Sequence, residues 1–122
     1  MSKKLAIVAS RSGVDGAYPP FVLTSTAASM GYECRVFCTF GGLELLKHSP
    51  DVAQPESQGA NEVVPFEELR QMSIDSGVQL IACQMSMDML GIAAEDLIEG
   101  VDFAGAASWL EFASEADVSL YI

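Results

Sequence analysis

The sequence predicts an α/β fold in which helices cover both faces of a parallel sheet. Short apolar runs without polar alternation are typical of strands that are buried on both faces. These runs alternate with helix-compatible segments along the whole chain, which is the pattern of successive β–α units. With 122 residues, half of them hydrophobic and 19% charged, the chain suits one globular domain.

The strands are predicted from apolar or β-branched runs that turn residues separate. They cover residues 5–9, 32–40, 78–83, 101–104 and 117–122. The third is the most telling, because Leu80, Ile81 and Ala82 carry no polar residue between them. That run ends on Cys83, just before a further helix.

The helices are predicted from apolar spacing and from the residues that begin and end them. They cover residues 19–30, 43–48, 66–76, 85–90, 94–99 and 106–116. Pro19 and Pro20 suit the start of the first helix, and Gly31 ends it. The third has an apolar side of Phe66, Leu69, Met72 and Ile74. We predict that residues 49–61 form a surface loop and that residues 62–64 are extended without forming a regular strand.

Cys83 is the main candidate for a reactive residue. Open α/β sheets place ligands at the carboxyl ends of their strands, and Cys83 ends one. The backbone N–H groups that open the following helix favour a thiolate there. Two interpretations stay open on position alone: a nucleophilic or sulfur-carrying thiolate, and a small buried apolar residue.

Cys38 and Arg11 are the candidate supporting groups for Cys83. Cys34 and Cys38 share one face of the second strand, being four residues apart, and Cys34 suits core packing. Cys38 lies nearer the edge of the sheet that holds Cys83, so it is either a resolving thiol or a packing residue. Arg11 follows the first strand at the same edge, where it would stabilise a thiolate or a bound anionic sulfur species, or form a surface salt bridge.

We expect no cofactor and no metal. The chain has neither G-x-G-x-x-G nor G-x-x-x-x-G-K-[ST], and neither H-E-x-x-H, G-x-S-x-G nor C-x-x-C. On a helix, residues two apart point in directions about 200° apart, so Met87 points away from Met85 and Met89 and the three cannot converge on a soft metal. His48, the only histidine, has no cysteine or carboxylate partner nearby in sequence and suits the end of a short helix.

The charge balance bears on partners and location. Seventeen acidic and six basic side chains give a net charge of -11, which repels nucleic acid and anionic lipid. No apolar run approaches the ~20 residues needed to span a bilayer, and the run after Lys4 is too short for a signal peptide. Three cysteines, an odd number, suit a reducing compartment. We therefore expect a cytoplasmic protein with no nucleic-acid or membrane partner.

Several stretches together resemble a known family. They are KLAIVAS (4–10), AYPP (17–20), FGGL (40–43), ACQMSMD (82–88) and the carboxyl end, GVDFAGAA (100–107) through ADV (116–118). They are similar to the DsrE/DsrF-like family over nearly the whole chain except 49–61, and the cysteine stretch is the most specific. Some relatives are labelled peroxiredoxin-like, but the peroxidatic P-x-x-x-T-x-x-C motif is missing here.

The resemblance implies a single DsrE/DsrF-like domain over residues 1–122. Its fold would be three-layer α/β/α with a five-stranded parallel sheet of order 4-3-2-1-5. Members of the family are small cytoplasmic proteins of sulfur relay and sulfur oxidation, usually homo- or hetero-oligomers, although some relatives carry membrane segments. The family's sulfur-carrying cysteine, which some relatives lack, corresponds to Cys83.

The resulting hypothesis is a sulfur carrier or sulfurtransferase component that holds sulfane sulfur on Cys83 as a persulfide or thiosulfonate. Its expected partners are thiol-bearing donor and acceptor proteins or small sulfur compounds, and we expect a homo-oligomer. One alternative is a non-catalytic scaffold or binding subunit of the same fold, in which Cys83 is inert. Another is a small flavodoxin-like protein, which would contain a bound chromophore.

Overall fold

The computed structural model describes residues 2–56, 59 and 61–122, so the loop predicted over 49–61 lies partly outside the described residues. Within them, five parallel strands form one sheet in the order β4-β3-β2-β1-β5. The strands are β1 (Lys4–Ala9), β2 (Glu33–Cys38), β3 (Gln79–Cys83), β4 (Asp102–Ala104) and β5 (Val118–Tyr121). The fold class expected from the sequence and the strand order implied by the family resemblance are both confirmed.

Four α-helices and two short 3-10 helices connect the strands. The α-helices are α1 (Val14–Ser29), α2 (Phe66–Asp75), α3 (Gln84–Leu90) and α4 (Ala106–Ser114). The 3-10 helices are Phe40–Leu46 and Ala94–Asp96, where the sequence predicted ordinary helical turns over 43–48 and 94–99. Each connection returns the chain to the amino end of the next strand, so all carboxyl ends meet at one edge of the sheet.

The two faces of the sheet pack against different helices. On one face, the larger core cluster joins alternate residues of the central strands to α1 and α2; it includes Ile7, Val36, Leu80, Phe21 and Leu69. On the other face, the intervening residues pack under α4; this smaller cluster is Ala6, Phe37, Ile81, Cys83, Trp109 and Phe112. Phe37 stacks on Trp109 with ring centroids 5.1 Å apart. The layering is therefore α/β/α, with α4 on the side of Cys83.

The first helix begins earlier than the sequence predicted. It starts at Val14, so the expectation that Pro19 and Pro20 open it is wrong. The carbonyl of Gly13 accepts a hydrogen bond of 2.8 Å from the amide of Ala17, which forms the first turn before either proline is reached. The prolines lie inside the helix, where neither can supply an amide donor to it.

The buried side of α2 also differs from the prediction. Phe66 and Leu69 are buried, but Met72 is 50% exposed, and Arg70 is buried instead. The Arg70 guanidinium donates hydrogen bonds of 2.7 and 2.8 Å to the carbonyls of Leu45 and Lys47. Apolar spacing could not reveal this, because the arginine is buried to satisfy carbonyl groups at the end of the first 3-10 helix.

Candidate active-site thiol

Cys83 lies at the junction between β3 and α3. It is the last residue of the strand and is followed directly by Gln84, the first residue of the helix. Its side chain belongs to the smaller core cluster under α4, and the residue is 7% exposed. The thiol is thus shielded from water while standing at the edge of the sheet where the sequence predicted it.

Four polar groups near the sulfur of Cys83 favour its thiolate form. They are the hydroxyl and amide of Ser86, the hydroxyl of Thr39 and the amide of Met85. Burial raises the pKa of Cys83, but these donors stabilise the thiolate more, so the pKa is lowered from its usual value. Since the thiolate is the nucleophilic form, the arrangement favours reaction at this sulfur.

The two hydroxyls near Cys83 are also bonded to each other. Thr39 Oγ1 and Ser86 Oγ lie 2.9 Å apart, and Ser86 is fully buried. Each hydroxyl has a single proton, so whichever one donates within the pair leaves the other O–H to donate to the sulfur. The pair therefore offers the thiolate one hydroxyl proton at a time, and the two residues can exchange that role.

The sheet register brings Thr39 beside Cys83. Cys38 pairs with Ala82 across β2 and β3, so the residues that follow them, Thr39 and Cys83, are neighbours. Thr39 is extended and its amide donates to the Ala9 carbonyl at 3.0 Å, which continues the sheet beyond β2. Alternation turns its side chain away from the face of Cys38 and toward that of Cys83.

The segment after Thr39 is tightly constrained. Phe40 has a φ of 48°, a left-handed conformation that is strained for a bulky residue. A Cβ on Gly42 would lie 1.9 Å from the Ala9 carbonyl oxygen, so only glycine fits there. These two features fix the chain immediately after the hydroxyl that faces Cys83.

The structure does not bring Cys38 to the sulfur of Cys83. Cys38 is completely buried in the larger cluster, on the opposite face of the sheet, and burial raises its pKa to about 12. Cys34 lies in the same cluster, and burial raises its pKa as well. The geometry supports the packing role considered for both residues and does not support Cys38 as a resolving thiol.

Arg11 is at the expected edge of the sheet. It is exposed, and the part of the chain that the structure describes gives its guanidinium no ion pair. Its loop packs against the first 3-10 helix, since a Cβ on Gly41 would lie 3.6 Å from the Arg11 Cα. The structure shows no direct contact between Arg11 and Cys83.

The remaining sequence candidates do not form a metal site. His48 is exposed, and its Nε2 lies 3.3 Å from the carbonyl of Glu95. Met85 and Met89 are exposed while Met87 is buried, so the three methionines do not converge. Over residues 2–56, 59 and 61–122, no three His, Cys, Asp or Glu side chains are grouped as metal ligands. Over the same residues, no helix has both the length and the apolar character needed to cross a bilayer.

Sequence reasoning missed Thr39 and Ser86. Ser86 carried a local signal, because the third residue after a strand-ending cysteine lies in the first turn of the following helix. Thr39 carried none, because it reaches Cys83 only through the pairing of β2 with β3.

Replacing both hydroxyl residues, as Thr39→Val/Ser86→Ala, is expected to raise the pKa of Cys83. The double substitution removes the hydroxyl donor to the thiolate, and the loss of one hydrogen bond to a charged acceptor, roughly 1.5 kcal/mol, should slow alkylation at pH 7 about tenfold. The measurement is the pH profile of iodoacetamide alkylation at Cys83, read by mass spectrometry. Ser86→Ala alone is the control, because the Thr39 hydroxyl is then free to donate to the sulfur, and an unchanged profile in the double variant would show that the hydroxyls do not act on the sulfur.

Comparison with known proteins gives a consistent set of relatives. A sequence profile of the DsrE/DsrF/DrsH-like family matches residues 1–62 and 53–121. In an alignment of 156 positions, gaps included, the chain is 39% identical to a protein of Allochromatium vinosum named sulfur carrier protein DsrE2, with 98% of each chain covered. It is 29% identical over 105 residues to an uncharacterised protein of Methanopyrus kandleri, covering 86% of this chain and 80% of that protein.

Solved structures resemble the fold at lower identity. The ychN protein of E. coli superimposes with a TM-score of 0.73 at 18% identity, over 100% of both chains. The protein MTH1491 of Methanobacterium thermoautotrophicum, described as of unknown function, gives a TM-score of 0.69 at 15% identity, over 99% of this chain and 100% of that one. At these identities the likeness establishes the architecture alone.

Proposed function

Because this chain belongs to the DsrE/DsrF/DrsH-like family, we propose that it is a sulfur carrier that holds sulfane sulfur on Cys83. The observation that carries the proposal is the shielded Cys83 thiol, whose pKa is lowered by the donors of Ser86, Thr39 and Met85. The relative named sulfur carrier protein DsrE2, similar over 98% of the chain, supports a role in sulfur relay.

Loading is a thiolate exchange. The Cys83 thiolate attacks the outer sulfur of a donor persulfide, a new S–S bond forms at Cys83, and the donor's S–S bond breaks as the donor leaves as a thiolate. The proton of the outer sulfur stays with it or passes to water, and nothing is oxidised or reduced overall. The adduct is a persulfide on Cys83, and its terminal sulfur is an anion that neighbouring N–H and O–H donors stabilise.

The proposal also assigns a role to Arg11 and a location to the protein. The guanidinium of Arg11, which has no ion pair among the described residues, stands at the loading edge and supplies positive charge to an anionic adduct. A thiosulfonate on Cys83, formed when the thiolate attacks a central sulfur of tetrathionate and thiosulfate leaves, would draw on that charge most, because its sulfonate group is a permanent anion. A reducing cytoplasm keeps the Cys83 thiol reduced between turnovers. The partners of the protein are thiol-bearing proteins or small sulfur compounds.

The test is intact-mass spectrometry after incubation with polysulfide, thiosulfate or tetrathionate. We expect one or more added sulfur atoms, or a thiosulfonate group, which peptide mapping places on the Cys83 peptide. The mass identifies the cargo and the map identifies the site. Absence of any adduct on folded protein would favour the alternative, a non-catalytic scaffold in which the buried Cys83 is inert.

Self-association is also part of the proposal. α4 is the helix that covers the face of Cys83, and it leaves Leu110 63% exposed and Tyr121 of the edge strand 75% exposed. Apolar side chains this exposed on one face are typical of subunit contacts. Light scattering at micromolar concentration is expected to report an oligomer, and a strict monomer would contradict it.

A further inference from the structure

An apolar surface on α3 lies directly beside the thiol. It consists of Met85 and Met89, one helical turn apart and 65% and 66% exposed, and Leu90, 52% exposed. Met85 follows Cys83 by two residues and its amide is one of the groups that lower the pKa of Cys83, so this α3 surface starts next to the residue that carries the thiol. Methionine is enriched at protein interfaces, where its flexible side chain adapts to different partners.

The α3 surface lies in a part of the chain that has no positive charge. Residues 71–122 contain nine Asp and Glu and no Lys, Arg or His, and they include β3, α3, β4, α4 and β5. Asp88 lies on α3 itself, and Glu95 and Asp96 line an open cavity together with Leu90. Lys47 and His48 also border that cavity, but Lys47 is ion-paired with Glu44 at 3.0 Å.

An apolar surface surrounded by acidic residues favours one kind of binding partner. A second copy that docked through its own α3 surface would bring Asp88, Glu95 and Asp96 of the two copies together. Anionic macromolecules are repelled for the same reason. We propose that the α3 surface docks a basic protein whose own reactive cysteine is surrounded by lysine and arginine around an apolar centre. The inference rests on the proposed function, since it names the partner of the Cys83 persulfide.

Docking would place the partner's thiolate where it can discharge Cys83. The thiolate attacks the outer sulfur of the persulfide, forms a new S–S bond to it, and breaks the S–S bond to Cys83, which leaves as a thiolate. No oxidant or reductant is consumed. The lowered pKa of Cys83 also makes it a better leaving group in this step.

Two synthetic heptapeptides serve as the probes. One has a single cysteine between two leucines, with two lysines at each end; its twin has glutamates in place of the lysines. Protein loaded with sulfur from polysulfide is mixed with each peptide, and persulfide appearing on the peptide is followed by mass spectrometry. We expect the basic peptide to accept sulfur about tenfold faster at low salt, and the difference to shrink as salt screens the charges.

Matched pairs of variants test whether the preference for the basic peptide depends on residues at the α3 surface. Asp88→Asn/Glu95→Gln should slow transfer to the basic peptide about threefold. Glu33→Gln/Asp75→Asn removes the same charge at the opposite edge of the sheet and should not. The pairs are comparable, because Asp88 and Asp75 each accept a hydrogen bond from a glutamine four residues earlier. Met89→Ser should slow transfer to both peptides, whereas Met30→Ser, at a site also 66% exposed, should not.

The outcomes separate this inference from the proposed function. If Cys83 does not load, the carrier function itself fails. If Cys83 loads but both peptides accept sulfur at equal rates, or the two charge variants behave alike, the basic partner is wrong and the carrier function stands. If Met89→Ser instead abolishes self-association in light scattering, the α3 surface is a contact between copies and the docking proposal is overturned.

Discussion

A Cys83→Ser variant is expected to carry no sulfur after incubation with polysulfide. A serine hydroxyl is not ionised near neutral pH, so the hydrogen bonds that stabilise a thiolate at this position have no nucleophile to act on. The other two thiols cannot substitute, because Cys34 and Cys38 are buried in the opposite core cluster and burial raises the pKa of Cys38 to about 12. Intact mass is the measurement, and we expect complete loss of the adduct.

The matched control is Cys38→Ser. It also removes one buried thiol at the end of a strand, but it leaves Cys83 and its donors in place, so loading should persist at the wild-type stoichiometry. Circular dichroism of both variants shows whether the fold is kept. Adduct remaining on Cys83→Ser, mapped to Cys34 or Cys38, would contradict the assignment of Cys83 as the carrier.

Gly42→Ala is expected to lower the free energy of unfolding by about 3 kcal/mol. The new Cβ would lie 1.9 Å from the carbonyl oxygen of Ala9 and 2.7 Å from its carbon. Both atoms are backbone, so no side chain can rotate to make room. The Ala9 carbonyl also accepts the amide of Thr39 at 3.0 Å, and displacing it disturbs the end of the sheet.

Urea unfolding measures the effect, with Gly105→Ala as the control. A Cβ at Gly105 meets nothing within 4 Å, and its φ of -92° suits any residue, so that change should cost less than about 1 kcal/mol. Equal unfolding midpoints for the two variants would show that the chain relaxes around Gly42. Any folded Gly42→Ala protein should also have a higher Cys83 pKa, since Thr39 shifts with the Ala9 carbonyl.

The architecture and the position of the thiol could be predicted from the sequence. The apolar run before Cys83 is buried because both faces of β3 are covered, and Gly91 ends α3 with a φ of 70°. The strand order came from the family resemblance, because the apolar runs alone do not determine which strands are neighbours. The structure confirms that order.

The donors around Cys83 and the bounds of α1 could not be predicted in the same way. Thr39 and Cys83 are 44 positions apart in the sequence and meet only through strand register, which no local pattern encodes. Similarly, the hydrogen bond between Ala17 and the Gly13 carbonyl decides where α1 begins, and it outweighs the usual preference for proline at a helix start. The acidity of residues 71–122 can be predicted from the sequence alone. Which apolar side chains are exposed among these residues cannot, and the structure shows that they include Met85, Met89 and Leu90.

The separation of Cys38 from Cys83 by the sheet has a consequence for how long a cargo survives. In many thiol proteins a second cysteine attacks the inner sulfur of a neighbouring persulfide, closes a disulfide and expels hydrosulfide. Here that internal discharge has no route, since the two sulfurs face opposite sides of the sheet. In the proposed carrier, a loaded chain therefore retains its sulfur atom until a thiol from another molecule arrives, and the acceptor determines when the sulfur is delivered.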